Sequence, residues 1–294
     1  MKSKIVVVGS INADLVAVSS KRPGPGETVL GEDFFMVPGG KGANQAVAIS
    51  RLGAKVDMVG CIGNDANGQF LYDSLKKEGV VLDNIIRIPD VSTGTAVINL
   101  AQGENSIVVI PGTNSMLTPK LIKSMENVFM DAAIVLLQLE IPIETVEYVA
   151  KLCFERKIPV ILNPAPAMKL SKELIDNASY ITPNEHEYKI VFDTDEDIEE
   201  LLKRYPNKLL ITQGDKGVVF NDGNNVIRVD SINVKVVDTT GAGDTFNGAL
   251  AYALANDYEL EQAILFANVA AGISVTKLGA QTGMPSLNEV INKL

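Results

Sequence analysis

The run Asp238-Thr-Thr-Gly-Ala-Gly-Asp-Thr-Phe-Asn-Gly-Ala-Leu250 places a carboxylate, Asp244, straight after two glycines and at the mouth of an apolar helix. Without a Cβ at Gly241 and Gly243, the amides of Gly241, Ala242 and Gly243 can turn toward one point, and a helix N-terminus adds partial positive charge to them. An anion held there would lie beside Asp244, which could take the proton from whatever attacks that anion. A base next to an anion cradle points to phosphoryl transfer to an alcohol. An Asp in a first helical turn also stabilises the helix by roughly 0.3–1 kcal/mol. Two preceding glycines cost more chain entropy than a simple cap requires, so the sequence favours catalysis at Asp244.

A second group of residues could hold a polyol, whose hydroxyls each need a donor and an acceptor. Gly39-Gly-Lys-Gly-Ala-Asn-Gln45 opens a helix, and its glycines should let a ligand approach the backbone while Lys41 and Asn44 donate. It is not a Walker A loop, because no Ser or Thr follows the Gly-Lys and no buried strand precedes it. Asn12 and Asp14 follow the first strand at a spacing that puts both on one face of an extended chain. They are also common turn formers, and Glu140, at the end of Leu136-Leu-Gln-Leu-Glu140, could simply be solvated.

Thr182-Pro-Asn-Glu-His-Glu-Tyr188 carries Asn184 and Glu187 one helical turn apart, a pair that could organise water around Mg²⁺ near phosphates. The same spacing is a capping box, which competes seriously with the metal reading. His186, the single histidine, reads as a surface residue. Thr212-Gln-Gly-Asp-Lys-Gly217 could hold a nucleotide through backbone groups and the Thr212 hydroxyl, or be no more than a tight turn.

These residues need a scaffold. Lys4–Gly9 reads as a buried parallel strand, and Leu15–Val18 with Glu27–Val37 as strands of a small separate sheet joined by a hairpin of Thr93–Ala101 and Asn105–Ile110 around Gln102-Gly-Glu104. Gly42–Leu52 reads as a helix closed by Gly53, Lys55–Gly60 as a strand and Gln69–Glu78 as a helix stopped by Gly79. Strands are then expected at Ala132–Leu137, Ile158–Asn163, Tyr180–Thr182, Lys208–Thr212 and Val234–Val237, with a hairpin of Gly217–Asn221 and Asn225–Val229. Helices are expected at Ile143–Glu155, Lys172–Asn177, Glu185–Phe192, Asp195–Tyr205, Gly243–Asn256 and Leu260–Lys277. Such alternation implies α/β architecture with a mainly parallel sheet covered on both faces and ligands beyond the carboxyl ends of its strands. The unusual loops after Gly9, Asn163, Thr182, Thr212 and Val237 all fall there.

The bulk figures set limits. The 294 residues suit one α/β domain with an appendage. Twenty-six basic against thirty-six acidic residues give a net charge of −10, which argues against nucleic acid as a partner but not against a phosphate held by backbone dipoles. Cys61 and Cys153 sit in apolar surroundings and form no Cys-x-x-Cys pair, in keeping with a reducing cytosol. No signal peptide and no apolar run long enough to span a membrane is expected, so the location is expected to be cytoplasmic.

Taken together, Gly9-Ser-Ile-Asn-Ala-Asp14, the Gly39–Ala46 run, Gln138-Leu-Glu140, Asn163-Pro-Ala-Pro-Ala167, Thr182-Pro-Asn-Glu185 and Asp238–Asp244 resemble the ribokinase-like family of sugar and nucleoside kinases over nearly the whole chain and in the same order. The resemblance implies a three-layer α/β/α fold with a β-sheet lid from about 12–37 and 93–110, and ATP-dependent phosphorylation of D-ribose. It implies that Asn12, Asp14, Gly40, Lys41, Gly42, Asn44, Glu140 and Asp244 contact the sugar and that Asp244 is the general base. Gly241, Ala242 and Gly243 would form the anion hole, and Asn184, Glu187, Thr212, Gly214, Gly217, Gly243 and Asn268 would line the ATP and Mg²⁺ site. A monovalent cation, K⁺, would sit among Asp238, Thr240, Ser274, Lys277, Gly279 and Gly283, with several ligands being backbone carbonyls. Asn268 stands where the family often has His, and Gly283 where it often has Ser. The lid would pair two subunits into a homodimer. Related kinases of fructose, a ketodeoxy sugar acid or a nucleoside are the nearest alternatives. A non-catalytic sugar-binding module would need neither Asp244 nor a nucleotide cradle, and an NAD-linked oxidoreductase lacks its Gly-x-Gly-x-x-Gly after the first strand.

Overall fold

The computed structural model describes residues 3–102 and 104–294. Gly103, in the expected hairpin turn, lies outside the described residues, as do Met1 and Lys2. A six-stranded parallel sheet forms the centre. Its strands are β1 (Lys4–Val8), β4 (Lys55–Gly63), β5 (Val81–Ile88), β8 (Ala132–Leu137), β9 (Val160–Leu162) and β10 (Tyr180–Ile181), in the order β10-β9-β8-β1-β4-β5. Alternation along β1 sorts the core into two layers. Ile5 and Val7 join one buried cluster, and Val6 and Val8 join the other. The first cluster is covered by helices α1 (Lys41–Arg51), α2 (Ala66–Lys77), α8 (Ala242–Ala255), α9 (Leu260–Ser274) and α10 (Leu287–Ile291). The second is covered by α3 (Pro119–Ser124), α4 (Ile143–Glu155), α5 (Lys172–Asn177), α6 (Tyr188–Phe192) and α7 (Ile198–Arg204). The architecture is therefore three-layered α/β/α.

Two smaller sheets flank this frame. β11 (Leu210–Thr212), β12 (Val218–Asn221) and β13 (Val226–Val229) form an antiparallel sheet that touches the edge of the central one through Ile181–Leu209 and Asn184–Thr212 bridges. β2 (Asn12–Ser19), β3 (Gly31–Gly39), β6 (Gly94–Ala101) and β7 (Glu104–Ile110) form the separate small sheet, ordered β3-β2-β6-β7. β2 and β6 pair parallel and the other two pairs are antiparallel, so the sheet is mixed. Register fixes its two faces. Phe34, Val97, Val108 and Ile110 fall on the face opposite to that of Asn12 and Asp14.

Several elements differ from expectation. Val234–Val237 is not a strand. Val236 and Val237 are exposed, and among the described residues their segment pairs with one carbonyl, Val275 O, which accepts from both Val237 N and Asp238 N. β-branched composition cannot make a strand without a neighbouring edge to pair with. β5, α3 and α10 were not expected. The helix after Thr182 begins only at Tyr188, because residues 184–187 form a capping turn first, and α9 stops at Ser274.

Candidate active site

α1 and α8 lie so close that a Cβ on Gly248 would come 2.8 Å from Ala48 Cβ and 2.9 Å from Gln45 O. One turn earlier on each helix, Asn44 meets Asp244: Asn44 Nδ2 donates to Asp244 Oδ2 at 2.9 Å. Pairing at 44 with 244 and 48 with 248 means that the helices run side by side with both N-termini at one place. Two macrodipoles thus add positive potential there. The N–H groups of Gly243 and Asp244 have no carbonyl within their own helix and remain available to an anion. Gly241, at φ 77°, is the N-cap, and a Cβ on Gly243 would meet nothing within 4 Å. Asn247 Nδ2 holds Gly243 O at 2.8 Å and is itself fixed by the Thr182 hydroxyl, which donates to Asn247 Oδ1 at 2.6 Å.

Asp244 is 7% exposed. Burial pushes its carboxyl above the ordinary range, against the opposing pull of Lys41 and of the amides of Asn44 and Gln45, with Glu140 adding to the rise. Around it stand further charges. Burial and then the neighbouring carboxylates of Glu140 and Asp244 push Asp14 up to about 7. For Lys41 burial alone would lower the ammonium, but Asp244, Glu140 and Glu187 outweigh it and hold it above its usual value. Glu140 Oε2 accepts from the Lys41 backbone N–H at 3.1 Å and from the Ser10 hydroxyl. Asn12 Oδ1 accepts from Asn114 Nδ2 at 2.6 Å, which turns the Asn12 amide N–H₂ outward as a donor. Acceptors and donors suited to a polyol thus converge on the end of the sheet where β1 and β8 finish.

The glycines of the Gly39–Gly42 run also permit a close approach within the chain itself. A Cβ on Gly40, at φ 89°, would be 2.7 Å from Asn12 N, one on Gly42 would be 2.7 Å from Ser10 N, and one on Gly39 would be 2.2 Å from Asp14 Oδ2. They let α1 press against the chain's own β1–β2 connection and so bring Lys41 to Glu140.

Asn184 and Glu187 make the reciprocal capping bonds: Asn184 Oδ1 accepts from Glu187 N at 2.9 Å and Glu187 Oε2 accepts from Asn184 N at 2.9 Å. Both still line the same cavity as Lys41, Thr212, Gly243 and Asp244. A second, larger cavity of about 530 Å³ lies on the other side of residues 241–243, bounded by Gly214, Val234, Val236, Ala242, Asn268 and Gly272. Asn268 spends its amide on Val229 O at 2.8 Å and Asp230 O at 3.2 Å. Gly217 lines neither cavity; at φ 81° it turns the chain where a Cβ would sit 2.1 Å from Val229 O.

The Asp238 loop is tied to the segment after α9. Asp238 Oδ1 accepts from Thr240 N and its hydroxyl at 2.9 and 2.7 Å, and Oδ2 accepts from Gly279 N at 2.8 Å. Burial opposes the charge, but these bonds win and hold the Asp238 carboxyl below its ordinary range. A Cβ on Gly283 would come 2.0 Å from Ser274 O. Lys277 points away toward Glu289, at 3.8 Å. Sequence reasoning did not single out Ser10, Gln45, Asn114, Gln138, Asn163 or Asn247. Each is buried and polar, and the available signal was a polar residue inside an apolar stretch.

Comparison with known proteins agrees with this geometry. Residues 2–287 match the description "pfkB family carbohydrate kinase". The chain belongs to the pfkB family of carbohydrate kinases. It is 51% identical over 286 residues to a ribokinase of Bacillus subtilis, covering 97% of each chain, and 47% identical over 293 residues to one of Lactococcus lactis, covering 99% of this chain and 97% of the relative. Its fold superposes with a TM-score of 0.92 on an Arabidopsis thaliana ribokinase complexed with ribose and ATP, at 34% identity and covering 99% of this chain and 98% of that one.

Proposed function

We propose that this kinase transfers the γ-phosphoryl group of ATP to the 5-hydroxyl of D-ribose, giving D-ribose 5-phosphate and ADP. One observation carries the mechanism: Asp244 lies between the polyol-binding side chains and the free amides of the α8 N-terminus. The sugar would rest on Asn12, Asp14, Lys41 and Glu140, under the small sheet as a lid on a single α/β unit. Asp244 would accept the hydroxyl proton while the amides of Gly241, Ala242 and Gly243 face the charge gathering on the phosphoryl oxygens, that of Ala242 by leaving Thr239 O, to which it donates at 3.2 Å. Positioning and fixed dipoles, in a site closed to competing water, would supply most of the rate. The adenine would occupy the cavity beside Asn268 and Gly214, with the phosphates running past Thr212 and Asn184 toward Gly243.

The donor set suits the implied ions. Beside the proposed phosphate path, Glu187 has a carboxylate oxygen beyond its capping bond. That matches Mg²⁺, which is carried mainly by phosphates and water and which when bound neutralises phosphate charge. At the Asp238 loop, one ionised carboxylate with carbonyls such as Ser274 O, left uncovered by Gly283, fits a monovalent cation such as K⁺. The outer apolar face of the small sheet would pair two copies. Two buried, unpaired cysteines and a nucleotide donor accord with a cytoplasmic location, and no helix among the described residues is long and apolar enough to cross a membrane.

ADP release tests this reading with D-ribose, fructose or adenosine as acceptor, with and without K⁺. Ribose should dominate and K⁺ should raise the rate. Asp244→Asn should fold and lose about 10²–10⁴ in kcat. Preference for another acceptor, or near-native turnover in Asp244→Asn, would refute it.

A further inference from the structure

Asp244 does not meet its neighbours singly. Gln45, wholly buried next to Asn44 on α1, donates from Nε2 to Asp244 Oδ1 at 3.1 Å and to Asn163 Oδ1 at 3.1 Å. Its Oε1 accepts from Nε2 of Gln138, also wholly buried, at the end of β8. The two carboxylate oxygens are thus each gripped by an amide of α1, from consecutive residues.

The direction of this chain is locked. Turning the Gln45 amide over would aim Oε1 at the oxygens of Asp244 and Asn163 and Nε2 at another N–H₂, three repulsions in place of three bonds. Gln138 Oε1 is buried with no partner among the described residues, against Gly9, where a Cβ would be 1.9 Å away. A buried amide with one end unpaired is costly in folding terms. It persists here with its other end committed to Gln45.

We infer that Gln45, oriented by Gln138, is a positioning residue that keeps the Asp244 carboxylate ionised and aimed, deepening the proposed role of Asp244 as base and resting on that reading. Gln45 and Asn44 donate only to the charged form, so losing either favours protonation. The charged and titratable groups facing Asp244 are Lys41 from α1, Glu140 beyond β8 and Asp14 from β2, with Glu187 across Lys41. Only Lys41 is cationic. With two carboxylates nearby and burial against it, the anion depends on Lys41 and then on its two neutral donors.

The experiment is the pH dependence of kcat at saturating ATP and D-ribose in Gln45→Met and Gln138→Met, side chains of similar length that cannot hydrogen-bond. Gln45→Met should lower kcat at neutral pH by about tenfold or more and move the acidic limb upward by about one pH unit, with KM for ribose changed by less than about threefold. Gln138→Met should shift the limb the same way by less, and it keeps the idea testable should Gln45→Met not fold. In an Asp244→Asn background Gln45→Met should cost nothing further. A lower melting temperature with wild-type kcat and an unmoved limb in both variants would overturn the inference. Near-native turnover of Asp244→Asn would instead remove the reading beneath it.

Discussion

At the residue scale, Asp14 makes a prediction with a definite sign. Its folded pKa of about 7 stands above that of an unfolded Asp. The native state therefore binds more protons than the unfolded one between about pH 4 and pH 7, and stability contributed by the protonated form is lost as pH rises through that window. Asp14→Asn should remove this loss. Relative to the wild type, the variant without ligands should gain on the order of a few kcal/mol at pH 8 and nothing near pH 4, read from urea midpoints. An unchanged difference across the window would place the Asp14 carboxyl away from Glu140 and Asp244. At this scale the sequence was most readable where chemistry is displayed. Asp244, Lys41, Asp14 and Glu140 stood at loop positions beyond strands and do meet. Gln45 and Gln138 were hidden because a buried amide's worth lies in its partners, 93 residues apart in this case. Gly217 turns the chain beside Val229 O, and a turn glycine and a cradle glycine share the same letter.

At the scale of elements, the contact between α1 and α8 decides the site. Gly248→Ala should destabilise the fold by about 1–3 kcal/mol, since overpacking against Ala48 and Gln45 outweighs the roughly 1 kcal/mol by which Ala favours a helix over Gly. By moving the helices apart it should lower kcat as well. Gly243→Ala separates the two effects, because its Cβ would enter open space. It should leave the melting temperature unchanged or higher while turnover falls, as the methyl occupies the anion's place. Helices with apolar faces and glycine stops, such as α1 before Gly53 and α2 before Gly79, followed from the sequence. β5 did not: Val81-Leu-Asp-Asn-Ile-Ile-Arg-Ile88 neither alternates cleanly nor runs wholly apolar, because it is an edge strand of the sheet. Val234–Val237 failed in the opposite sense, with strand-like residues and no strand to pair with.

At the scale of the whole molecule, the small sheet has two unlike faces. The face bearing Asn12 and Asp14 looks toward the cleft. The other carries Phe34 at 64%, Val108 at 64% and Val97 at 45% exposure, an apolar surface that a second copy would cover. Sedimentation should give a dimer, and Val108→Glu should shift it to monomer and weaken ribose binding by loosening the lid. A wild-type monomer at micromolar concentration would rule this out. The alternation of strands and helices made the three layers legible from the sequence. The route by which residues 230–240 cross α9 was not, because irregular backbone is set by what it packs on.

The most direct measurement is a crystal structure of the wild-type protein with D-ribose and a non-hydrolysable ATP analogue. The account predicts an Asp244 carboxylate oxygen at hydrogen-bond distance, about 2.6–3.2 Å, from the ribose 5-hydroxyl, with the γ-phosphate in line beyond it and facing the amides of residues 241–243. A 5-hydroxyl turned away from Asp244, or a γ-phosphate bound elsewhere than the N-terminus of α8, would contradict it.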